Sequence, residues 1–72
     1  MTAPTQMAIR RRVVDEMLDR LARGASCTVR LQQYQDVLLR TSGKMLLNGT
    51  TMNVIGKKLG PGVYVVSLKE AP

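Results

Sequence analysis

The stretch Lys44-Met45-Leu46-Leu47-Asn48-Gly49-Thr50-Thr51-Met52-Asn53-Val54-Ile55 sets an Asn-Gly pair between two strand-like runs. Both residues of that pair tolerate the positive φ of a tight hairpin turn, so the dipeptide predicts two antiparallel strands. With Leu47 facing Thr50, Met45 faces Met52, and Met45, Leu47, Met52 and Val54 line one side of the ribbon.

Toward the C-terminus, Gly56-Lys57-Lys58-Leu59-Gly60-Pro61-Gly62 reads as a glycine-framed loop, since its glycines and proline disfavour a continuous helix or strand. Val63 to Leu68 is apolar on both faces and rich in β-branched residues, which fits a buried strand, and 69–72 reads as a tail. Toward the N-terminus, Cys27, Val29 and Leu31 alternate with Thr28 and Arg30 as in a half-buried strand. Gln32 to Thr41 fits two templates. Leu31, Tyr34, Leu38 and Thr41 have the spacing of a short helix ended by Ser42-Gly43, and a continued strand turning near Gln35-Asp36 fits almost as well. We take strand and turn as the expectation.

Residues 1–4 read as a tail. From Thr5 to Arg23, Met7, Val14, Met17, Leu18 and Leu21 recur at helical spacing, with Thr5 as N-cap and Gly24 as the left-handed stop. Glu16 stands four before Arg20 and Asp19 four before Arg23, the favourable orientation for pairing along a helix. The order predicts an α+β domain: one N-terminal amphipathic helix (5–23) packed on a small, mostly antiparallel β-sheet drawn from 27–68, all within a single domain spanning 1–72.

At 72 residues the chain forms one small core, worth no more than roughly 3–5 kcal/mol net. One cysteine, Cys27, closes no internal disulfide, and histidine is absent. Phe and Trp are absent too, which leaves Tyr34, Tyr64 and five methionines as the large or adaptable packing groups. Eleven Lys/Arg against five Asp/Glu give a net charge of +6 and a pI near 10.3, a balance that favours polyanions or acidic protein surfaces. No apolar run reaches the ~18–20 residues of a membrane span, and the opening residues lack the pattern of a secretory signal, so a cytoplasmic protein without a membrane partner is expected.

Enzymatic readings lack equipment. There is no His for acid–base work, no Cys-His pair and no cluster of metal ligands, so no catalytic residue, cofactor, metal or small-molecule substrate is expected. Cys27, inside an apolar alternation, reads as a small core residue.

The basic residues carry the functional reading. At 100° per residue Arg10 lies in line with Val14, Met17 and Leu21, and Arg11 in line with Met7, Leu18 and Ala22. Burying an unpaired guanidinium costs several kcal/mol, so the first turns are expected to overhang the core and display Arg10 and Arg11 to a partner; the alternative is that the arginines lay their stems over Met7 and Val14 and pair with Asp15 and Glu16 one turn later. Arg12, four before Glu16, is placed to pair with it. Lys57-Lys58, framed by glycines, is the second candidate contact, because the backbone there could approach a phosphate closely. It is no P-loop, since the required Gly-x-x-x-x-Gly-Lys-Ser/Thr order is missing. Tyr34, after Gln32-Gln33, could stack on a base, whereas Tyr64 suits the core or its rim.

A short basic chain rich in Arg, Val, Leu and Met, with Arg10-Arg11-Arg12 early in a leading helix and a compact β end carrying Lys57-Lys58, resembles the small early bacteriophage proteins that bind host RNA polymerase as inhibitors or antiterminators. The likeness is one of size and composition and transfers no residue role. It implies docking on bacterial RNA polymerase near the start of the β′ subunit and the RNA exit region, blocked initiation, and read-through of terminators. The expected function is therefore a non-enzymatic basic regulator that binds the transcription machinery, through Arg10, Arg11, Arg12, Lys57 and Lys58, in the cytoplasm of a host cell. Two alternatives remain: an independent DNA- or RNA-binding protein, and an inhibitor or structural protein acting by protein contact alone.

Overall fold

The computed structural model describes residues 6–71, with side chains from residue 8. The tail at 1–4, the Thr5 cap and the Met7 side chain lie outside the described residues. Six elements follow one another: α1 (Gln6–Ala22), β1 (Cys27–Arg30), α2 (Leu31–Thr41), β2 (Lys44–Leu47), β3 (Thr50–Gly60) and β4 (Val63–Glu70). The strands form one antiparallel sheet in the order β1-β4-β3-β2, and both helices cover one of its faces. The fold is the expected α+β type with one helix more than expected.

The Asn-Gly hairpin has the register its turn dictates: Leu47 pairs with Thr50 and Met45 with Met52. Asn48 and Gly49 both take positive φ, 51° and 78°, as the turn requires. α1 ends as expected at Gly24, in the left-handed region, where the Ala25 N–H donates to the Arg20 carbonyl and the Gly24 N–H to that of Leu21.

Three expectations fail. The segment 32–41 is helix, not strand and turn. Its apolar positions Val37 and Leu38 pack toward the core, and its first N–H, from Leu31, is satisfied by the carbonyl of Gly62 across the molecule. The supposed loop 56–62 is mostly strand: β3 runs through Gly56, Lys57 and Lys58 to Gly60, interrupted only by a bulge at Leu59. Gly56 is no breaker. It leaves clearance for the ring of Tyr34 on α2, since a Cβ there would sit 2.7 Å from Tyr34 Cε2 and 2.8 Å from Cε1. β4 likewise continues to Glu70, where a tail was expected.

The core lies between the layers. Val14, Met17 and Leu21 of α1 and Val37 of α2 meet Cys27, Val29, Val54 and Val66 of the sheet. Cys27 is a free, buried thiol, as its alternation implied. The sheet curls around the helices, so that α1 reaches both edge strands, β1 and β2.

Candidate functional site

The apolar stripe of α1 does run into Arg10, and α2 supplies what the sequence alone did not: a carboxylate. Arg10 Nε donates to Asp36 Oδ2 at 3.1 Å and Arg10 Nη2 to Asp36 Oδ1 at 2.6 Å, a two-pronged ion pair between the helices. The hydrogen bond to Asp36, then its charge, raises the Arg10 pKa above its ordinary value, so the guanidinium stays charged at any biological pH. A second bridge, Arg40 to Asp15 at 2.7 Å, runs the other way between the same helices. The only carboxylate pairing along one helix is Asp19 with Arg23, at 3.1 Å, among the described residues. The expected pairs Arg12–Glu16 and Glu16–Arg20 do not form.

Arg11 and Arg12 therefore have no carboxylate partner among the described residues, and both are exposed. The first described turns of α1 overhang the core, as expected, since residues 8–12 are all exposed while Val14 is buried. Because α1 is already helical at Gln6, the arginines lie beyond its first turn, where the dipole penalty has largely faded. Between the helices Arg10, Arg11, Val14, Asp36, Leu39 and Arg40 line an open cleft of about 490 Å³. Leu39, 85% exposed, is its apolar lip.

The second basic patch divides. Strand alternation sends Lys58, opposite Tyr64, to the helix side and Lys57, opposite Val65, to the outward side. Lys57 thus lies on the opposite face of the sheet from Arg10–Arg12, and the expected contact set is two surfaces instead of one. Register also brings Arg30, Lys44 and Lys69 to the outward face with Lys57, a grouping that depends on Lys57 standing in a strand. Tyr34 is not free to receive a base. Its ring stacks on Tyr64, centroids 5.5 Å apart and planes at 26°, above Gly56.

No family model, curated protein or solved structure matches this chain. Among the described residues no three His, Cys, Asp or Glu side chains gather as a metal would need, and no helix is long and apolar enough to cross a membrane.

Proposed function

We propose that this chain is a non-enzymatic regulatory protein that binds the bacterial transcription machinery in the host cytoplasm and modulates transcription by inhibition or antitermination. The contact is the α1–α2 cleft, laid against an acidic surface of RNA polymerase. The observation that carries the reading is Arg11, exposed and without a carboxylate partner among the described residues, in the cleft beside the apolar lip Leu39, with Arg12, equally exposed, in the neighbouring groove beside Ile9. Arginine next to an exposed aliphatic group is the composition of a protein contact, where the guanidinium pairs and the aliphatic group desolvates. Arg10 and Arg40, already held by Asp36 and Asp15, act as fixed walls that keep the cleft open. That the acidic partner belongs to the polymerase rests on the resemblance in size and composition.

The test is a titration of the labelled protein with purified bacterial RNA polymerase. Arg11→Ala/Arg12→Ala should weaken binding at least tenfold, about 1.4 kcal/mol, and leave the melting temperature unchanged, because both side chains are exposed and neither forms an ion pair among the described residues. Parent-like binding by that variant would refute the cleft as the contact. Arg10→Ala is the poorer probe, since it strands Asp36.

A further inference from the structure

The outward face of the sheet bears Arg30, Lys44, Lys57 and Lys69 and, among the described residues, no carboxylate. The chain's five acids all lie elsewhere: Asp15, Glu16, Asp19 and Asp36 on the helices, and Glu70 opposite Met52, in the helix-facing register. Four like charges on one face repel one another, and an external polyanion reverses that repulsion.

The neighbouring side chains say which polyanion. Thr28, Thr51, Asn53 and Ser67 share the face with the aliphatic Leu46, Ile55, Val63 and Val65, and the hydroxyl and amide groups join Lys and Arg in bonding phosphate oxygens. Three of the four cations are lysines, a residue depleted in protein contacts where arginine is enriched, whereas the cations of the cleft on the other side are all arginines. Stacking on bases is unavailable: the chain's only aromatic residues, Tyr34 and Tyr64, stack on each other on the helix side. A surface that holds phosphates without stacking bases suits a duplex better than a single strand.

Shape narrows the choice further. Because the sheet curls around α1, its outward face is convex. The B-form major groove is about 12 Å wide, whereas the A-form groove of RNA is deep and too narrow for side chains to read. Lys44, Asn53 and Lys69 form a row across β2, β3 and β4. Two strand spacings set the Cα atoms of Lys44 and Lys69 about 10 Å apart, close to that groove width.

The geometry points to the outward sheet face as a binding surface for the phosphate backbone of duplex DNA, with Arg30, Lys44, Lys57 and Lys69 as the phosphate contacts. This surface is separate from the cleft and does not rest on the polymerase reading.

Fluorescence anisotropy of the full chain with a mixed-sequence DNA duplex, between roughly 50 and 200 mM salt, tests it, since four neutralised phosphates give a log–log salt slope of about −3.6. Lys44→Gln/Lys57→Gln/Lys69→Gln should flatten the slope to about −0.9 without lowering the melting temperature, because the three lysines are exposed. Arg11→Gln/Arg12→Gln should leave the slope essentially unchanged. The proposal is overturned by no binding at the lowest salt, by a triple variant that binds as the parent does, or by tighter binding to single-stranded DNA or duplex RNA than to duplex DNA. Since the polymerase titration reads the other face, either result can fail alone.

Discussion

Gly56 shows how one missing side chain positions two elements. Tyr34 of α2 lies over it, and Tyr64 of β4 completes the stack, so the contact of α2 with the sheet depends on bare backbone at this point of β3. Gly56→Ala should destabilise the domain by about 1–3 kcal/mol, a large share of the roughly 3–5 kcal/mol a core of this size supplies. Urea unfolding would measure it. In combination with Tyr34→Leu the loss should be less than additive, because the second change removes the group the new methyl strikes. Arg10 makes the complementary point. Its wheel position aligns it with Val14, but whether such an arginine is a displayed contact or a tie between helices depends on Asp36, 26 residues away. Only Arg11 and Arg12 remain as unpaired cations from the triple run.

At the scale of elements, what could be read from the sequence divides by how local the signal is. The Asn48-Gly49 hairpin and its register follow from turn chemistry within four residues, and α1 follows from a repeat of apolar positions closed by Gly24. α2 was hidden for a local reason: its N-cap is Arg30, whose guanidinium has no acceptor, and the helix starts directly from the last residue of β1. Capping is carried instead by Gln33, whose Oε1 accepts the Arg30 N–H at 2.9 Å, and by the Gly62 carbonyl, which accepts from Leu31. Half of a capping box without its Ser, Thr or Asp is easily passed over. Gln33→Ala should therefore cost about 0.5–1.5 kcal/mol, read as a lower urea midpoint with faster hydrogen exchange at the Arg30 amide. Gln33→Glu, which keeps the acceptor, should lose little. An unchanged midpoint in the alanine variant would mean that Gly62 alone anchors the helix start. The extension of β3 was hidden for the opposite reason, since glycine reads as punctuation, and the need for clearance beneath Tyr34 appears only once α2 is docked. The outward cation set was lost with it, because strand alternation assigns a face to Lys57 only if Lys57 is in a strand.

For the whole molecule, stability sets the three ion pairs among the described residues against the net charge of +6. The ion pairs are direct contacts at 2.6–3.1 Å. That is well inside the Debye length of about 10 Å at 0.1 M salt, and exposed pairs are worth little in any case. The repulsions act over longer distances, with Lys44 and Lys69 about 10 Å apart by strand spacing, and fall within the range that added salt removes. Salt should therefore stabilise this protein. Raising sodium chloride from 10 to 150 mM shortens the Debye length from about 30 Å to about 8 Å and should raise the melting temperature by a few degrees. In the Lys44→Gln/Lys57→Gln/Lys69→Gln protein most of that rise should vanish, because the net charge and its densest face go together. A melting temperature that falls with salt in the parent would instead show that the Arg10–Asp36 and Arg40–Asp15 bridges outweigh the repulsion. The outward face would then lack the stored repulsion that makes a polyanion a stabilising partner.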